Sequence, residues 1–307
     1  MTEREPGSAP DPAADLRELR SRFYAMTARE RANSWWTGEL PLIPVMGLFG
    51  IRPRDIDAGT SHAYQQLSPD LLAADGTLPA GLLAVLADVV TGGAIAHRLP
   101  IGQGIVTVTL TVEPTVEQLP TEGTLVGSAT VVAERGPLYL AEGDVRTLGG
   151  QQVARLSAWF MRLPGRSAVT PSDPPSTGPV SLPADAGLGP IGRLVGITEL
   201  SRADGSAAAT AVVRPDLVNL GLALHGGAGA LLADLVCLAA LGEGASHQPL
   251  TSTYSYLRST GVIGAPVQVQ ARVLKPGRTV AAVEAEVLTA AGKPALHVVT
   301  NAAMRID

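Results

Sequence analysis

Asn219, His225 and Asp234 stand six and nine residues apart, and two glycines, Gly226 and Gly227, follow the histidine directly. Two glycines at the start of a helix let a ligand come close to the main chain. The unpaired N–H groups there, backed by the helix dipole, suit a carbonyl oxygen that gains negative charge. An aspartate inside the apolar run from Gly226 to Leu241 is costly unless it has partners or a task. Burial tends to raise the pKa of such a carboxyl toward the range of a general base. Nine residues of helix span about 13 Å, so His225 and Asp234 cannot touch the same reacting atom. A second helix must supply the acid.

That second helix is written in the same chain. At a shift of 146 positions, residues 48 to 90 align with 194 to 236 without a gap, and 15 of the 43 positions are identical. The matches include Gly50/Gly196, Pro69-Asp70-Leu71/Pro215-Asp216-Leu217, Gly81/Gly227 and Asp88/Asp234. The chain is therefore a fused pseudo-dimer. Ala73, Pro79 and Ala80 stand where the second copy has Asn219, His225 and Gly226, so one copy has lost polar groups that the other retains.

The elements that must carry these residues follow from periodicity. In the second copy Leu194 to Leu200 and Ser206 to Val213 read as strands, and Gly226 to Leu241 as a helix. Thr251 to Arg258, Ala265 to Leu274, Thr279 to Leu288 and Ala295 to Ala303 then read as antiparallel strands. In the first copy the later strands are Ile105 to Val112, Thr124 to Ala133, Leu138 to Thr147 and Gln152 to Arg162. The helix is apolar on nearly every face, so a long antiparallel sheet must curl around it. The fold class is α+β, with two such modules at 46–166 and 189–307. A Pro/Ser/Gly-rich linker at 167–188 joins them, and an arm at 1–45 precedes them, disordered at its start. One helix, Leu16 to Ala32, is expected in the arm, followed by Trp35, Trp36 and an extended segment.

The 307 residues carry a net charge of −5 with Lys and Arg scattered, so no nucleic-acid partner is expected. One cysteine, Cys237, excludes an intramolecular disulfide and any multi-cysteine zinc site. No signal-peptide layout opens the chain, which makes the cytoplasm the expected location. The apolar stretches are too short to cross a bilayer. No metal or redox cofactor is called for.

Asn219, His225-Gly226-Gly227 and Asp234 at these spacings resemble the signature of the hotdog-fold acyl-CoA thioesterases of the phenylacetate-pathway (PaaI-like) type. Tyr256-Leu257-Arg258 and the Pro-Gly-Arg turn at Arg278 are similar to that family's later strands. The resemblance covers both modules but neither the arm nor the linker. It implies a tandem hotdog in which the His-Gly-Gly end of one helix faces the acid of the other. The complete site would hold Asn219, His225, Gly226 and Gly227 with Asp88, and a hydroxyl beside the acid at Thr107 or Thr109. Asp88 would deprotonate a water or attack directly, and Arg258, Lys275 and Arg278 would meet the phosphates of coenzyme A. The reciprocal cleft, Asp234 with Pro79 and Gly81, would be a relic. The substrate would be an acyl-CoA, and such pseudo-dimers pair further, which implies a homodimer of the chain.

Blander readings stand beside these. Asp88 and Asp234 could cap a neighbouring loop, His225 could cap its helix, and Asn219 could be a turn residue. Cys237 on the buried helix reads as packing. Arg258, Lys275 and Arg278 are equally solvated strand-end charges. The rival functions are a catalytically weak acyl-CoA-binding protein and a hotdog hydratase or dehydratase, whose loop-helix acid-base signature is not found here.

Overall fold

The computed structural model describes residues 12–57, 59–163, 187–242, 247–277 and 279–304. The arm forms α1 (Pro12–Ala25) and α2 (Ala28–Thr37). The first half continues with α3 (Pro44–Leu48), β1 (Ile51–Asp57), β2 (Thr60–Gln66), α4 (Gly81–Ala96), β3 (Gly104–Pro114), β4 (Thr124–Arg135), β5 (Leu138–Thr147) and β6 (Gln152–Leu163). The second half repeats that order as α5 (Pro190–Leu194), β7 (Ile197–Ala203), β8 (Ser206–Val212), α6 (Gly226–Leu241), β9 (His247–Tyr256), β10 (Pro266–Lys275), β11 (Val280–Leu288) and β12 (Pro294–Met304).

Each half is a six-stranded antiparallel sheet in the same order, β1-β2-β4-β5-β6-β3 and β7-β8-β10-β11-β12-β9. The two sheets join edge to edge where β3 pairs with β9, from Thr109 opposite Ser255 to Val112 opposite Ser252, giving one twelve-stranded sheet. The central helices α4 and α6 pack on its concave face and on each other, which is the α+β tandem hotdog architecture. Burial of Leu82, Leu83, Val85 and Leu86 on α4, and of Leu231, Leu232, Leu235 and Val236 on α6, contributes about 1.5–3 kcal/mol per side chain. That enclosure is why neither helix shows a polar stripe.

The helices touch through glycine. A Cβ at Gly227 would stand 2.5 Å from the Cα of Val85, and one at Gly81 would stand 2.9 Å from the Cα of Leu231. Any larger residue would force the pair apart. Gly227 is thus demanded by helix packing, whereas the sequence reading gave its openness to a ligand.

The arm departs from expectation. Helical spacing runs unbroken from Leu16 to Ala32, but the chain stops at Ala25 and restarts at Ala28. The cause is a capping box: the Thr27 hydroxyl accepts from the Glu30 N–H, and the Glu30 carboxylate accepts from the Thr27 N–H. Trp35 and Trp36 extend the second helix, which Gly38 ends in the left-handed conformation. The fully buried Arg31 donates to the carbonyls of Ala96, Leu99 and Pro100 at the C-terminal end of α4. Ala96 closes α4, where the helix dipole gathers partial negative charge, and Leu99 and Pro100 lie just beyond it, so the cation ties the arm to that end of the helix. The strand expected from Leu194 starts at Ile197, because Pro190 opens the short α5 first. The linker lies almost wholly outside the described residues. No helix among the described residues is long and apolar enough to cross a membrane.

Candidate active site

The loop Leu217 to His225 closes on itself before α6. The His225 N–H donates to Leu217 O and the Asn219 N–H to Ala223 O. The Asn219 Oδ1 accepts from the N–H groups of Gly221 at 2.7 Å and Ala223 at 3.4 Å. Asn219 is therefore a turn residue in this structure, and no hydrogen bond joins it to Asp88 or His225. It fixes the loop that presents His225. Leu220 of this loop packs against Leu19, Phe23 and Leu40 of the arm, which stiffens it from outside.

His225 is the N-cap of α6, its Nδ1 accepting from the Gly227 N–H at 3.1 Å. The same N–H donates to Asp88 Oδ2 at 3.0 Å, although Asp88 belongs to α4 in the other half. Asp88 Oδ2 and His225 Nδ1 lie 3.4 Å apart. Asp88 Oδ1 accepts from the Thr107 hydroxyl at 2.9 Å. Both residues are buried, Asp88 to 8% exposure and His225 to 7%. Burial lowers the His225 pKa more than the nearby Asp88 raises it, so the imidazole is neutral at pH 7. Gly226 is open to the acid: a Cβ there would come within 2.7 Å of Asp88 Oδ2. The Gly226 N–H takes no partner among the described residues, as expected for the first turn of a helix.

Of the two threonines offered by the sequence, Thr107 reaches the acid. The β3–β6 ladder slips at Val108, between Thr107 opposite Phe160 and Thr109 opposite Trp159. This bulge re-aims the strand where it passes Asp88. Arg258 and Lys275 are exposed; Arg278 lies outside the described residues. Tyr256, absent from the candidate set, ends β9 beside the site, with its Cε1 3.2 Å from the same Cβ position at Gly226. Its hydroxyl is buried without a hydrogen-bond partner.

The reciprocal cleft keeps one element of this arrangement. The Gly81 N–H donates to Asp234 Oδ2 at 2.8 Å, matching Gly227 and Asp88. Asp234 is fully buried and its Oδ1 has no partner. Burial pushes its pKa up to about 6, against a smaller downward pull from the Gly81 N–H. Pro79 and Ala80 replace His225 and Gly226. The β9–β12 ladder slips at Leu250, between Pro249 opposite Ala302 and Thr251 opposite Asn301. Setting this bulge on the one at Val108 matches Pro249 with Thr107 and Pro114 with Tyr256. Three polar groups of one cleft thus correspond to three prolines in the other. Pro79, Pro114 and Pro249 all line a cavity of about 630 Å³, walled by Leu78, Leu235 and Leu238. This ligand-sized space lies on the side without the polar groups. Chemistry decides between the clefts here, since volume alone neither activates a water nor holds an oxyanion.

No protein-family model matches the sequence, and no functionally curated protein does so significantly. The fold does match solved structures. A hot dog fold protein from Alicyclobacillus acidocaldarius shares a TM-score of 0.58 at 16% identity, over 87% of this chain and 100% of its own. An acyl-CoA thioesterase II from Mycobacterium marinum gives 0.56 at 10% identity, over 86% and 98%. A 12:0-ACP thioesterase from Umbellularia californica gives 0.54 at 10% identity, over 80% and 94%. At such identities the likeness is one of fold.

Proposed function

We propose that the chain hydrolyses an acyl-CoA thioester at one composite site, with the acid from the first half and the helix N-terminus from the second. One observation carries this reading: Asp88, fixed by Thr107 and Gly227, meets His225 across the junction of the halves, beside Gly226, whose N–H is free. Two fold neighbours that are thioesterases support it. So does the motif resemblance to PaaI-like enzymes.

In the proposed reaction Asp88 takes a proton from a water as the water oxygen bonds to the thioester carbon. The carbonyl π pair moves onto oxygen, which the Gly226 N–H stabilises. That pair returns, the C–S bond breaks, and the sulfur leaves with the bond pair and receives the proton held by Asp88. The products are one carboxylic acid and one free thiol. His225 stays neutral and touches the reacting group from the cap position. Asn219 acts through the loop, as a positioning residue. The exposed Arg258, two residues beyond Tyr256, would meet coenzyme A phosphates.

Release of free thiol from a panel of aliphatic and aromatic acyl-CoAs tests the proposal. Stoichiometric thiol and acid are expected from at least one member. Binding without release would favour the acyl-CoA-binding rival.

A further inference from the structure

The Tyr256 phenol has no place in the reaction above, yet it lies against it. Its ring and the Asp88 carboxylate both stand against Gly226, at 3.2 Å and 2.7 Å from the position of a Cβ on that glycine. A buried hydroxyl ordinarily finds a partner, and this one has none among the described residues. The other donor of the helix start, the Gly227 N–H, is spent on Asp88 and His225. The phenol is therefore a side-chain donor left free beside the acid. In the other cleft its structural counterpart is Pro114, which has no donor at all.

We propose that the Tyr256 hydroxyl is the second hydrogen-bond donor to the thioester carbonyl oxygen, paired with the Gly226 N–H. This rests on the thioesterase reading of the same site. The phenol keeps its proton throughout and donates only a hydrogen bond to the oxygen that gains the carbonyl pair. Burial first, and the negative charge of Asp88 second, hold its ionisation well above the ordinary phenol range, so it stays a donor at any working pH. A donor aimed at the oxyanion acts more strongly on the transition state than on the bound thioester.

The test compares the full-length chain with Tyr256→Phe, using two coenzyme A derivatives. One is a ketone in which methylene replaces the thioester sulfur and the carbonyl remains; the other is an S-alkyl thioether with no carbonyl. Calorimetry is expected to show a roughly 2- to 10-fold loss of ketone affinity in Tyr256→Phe and an unchanged thioether affinity. For any hydrolysed thioester, KM should rise no more than the ketone affinity falls, and kcat should fall as well. The melting temperature should not drop, since an unpartnered hydroxyl is removed. Equal affinities for the ketone, or equal losses for both derivatives, would overturn the assignment. If the wild-type chain hydrolyses its substrate through Asp88 and Tyr256→Phe does so equally well, the tyrosine role fails alone. If nothing is hydrolysed but the ketone discrimination persists, the hydrolase reading fails and the carbonyl contact stands. If the wild-type chain binds neither derivative, both fall.

Discussion

The two clefts share a bond and differ in everything around it. In each, the N–H of a helix-start glycine donates to an aspartate on the opposing helix, Gly227 to Asp88 and Gly81 to Asp234. Around Asp88 stand His225, Gly226, Thr107 and Tyr256; around Asp234 the matching positions hold Pro79, Ala80, Pro249 and Pro114. The shared bond belongs to the architecture, because it ties each half to the other wherever two such helices cross. Chemistry depends on the other groups that touch the acid, since Asp88 has a hydroxyl on its other oxygen while Asp234 Oδ1 has no partner among the described residues. Space has gone the opposite way. The proline side opens onto about 630 Å³, while the arm is packed against the polar side through Arg31, Phe23 and Leu220.

The comparison breaks most sharply at the two acids. Asp88→Asn is expected to lower kcat by roughly 10²- to 10⁴-fold, as loss of a general base does, and Asp234→Asn to leave most activity. Steady-state hydrolysis of the best acyl-CoA decides it, and equal losses would return both aspartates to the architecture. A smaller loss is expected from Gly226→Ala, whose methyl would press on Asp88 Oδ2 and shift the acid. On the order of a 10²-fold fall in kcat is expected, against none for the reverse change, Ala80→Gly. His225→Ala should cost less again, roughly 10-fold, and in kcat rather than KM. An unchanged kcat would leave His225 as a helix cap only.

The acids should also part in stability. Asp234 binds its proton more tightly folded than unfolded, so its contribution is lost as pH rises from about 4 to about 6. Above that window the buried charge costs on the order of 3 kcal/mol, by about 1.4 kcal/mol for each pKa unit. Asp234→Asn keeps an acceptor for Gly81 and removes the charge. Thermal unfolding should therefore show the variant several degrees more stable at pH 7.5 and level with the wild type at pH 4. A variant less stable at pH 7.5 would show that the ionised carboxylate is required.

Much of this was legible in the residues, and the illegible parts have physical causes. The repeat survives because glycines at helix contacts and the Pro-Asp-Leu turns are set by backbone geometry. The central helices were readable because only an enclosed helix is apolar all round. The break at Met26 and Thr27 was not, since heptad-like spacing and charges continue through it; Thr27 and Glu30 carried the signal. Asn219 has the right type and spacing for substrate contact, yet its side chain serves a turn, and spacing does not separate those uses. Tyr256 was named only within a strand that resembles the family's, because its type and position say nothing of a role for its hydroxyl. Only the unmatched hydroxyl marks it, and hydrogen-bond partners across a sheet are not written in sequence. The proline substitutions at 114 and 249 needed the two bulges to set the register.

Titration calorimetry with the ketone analogue of an acyl-CoA, which keeps the carbonyl and cannot be hydrolysed, tests the asymmetry most directly. Each lost neutral hydrogen bond weakens binding by about 0.5–1.5 kcal/mol, so the proline cleft should bind at least several-fold more weakly. The account predicts one tight site per chain, unmoved by Asp234→Asn. Two sites of equal affinity would contradict it.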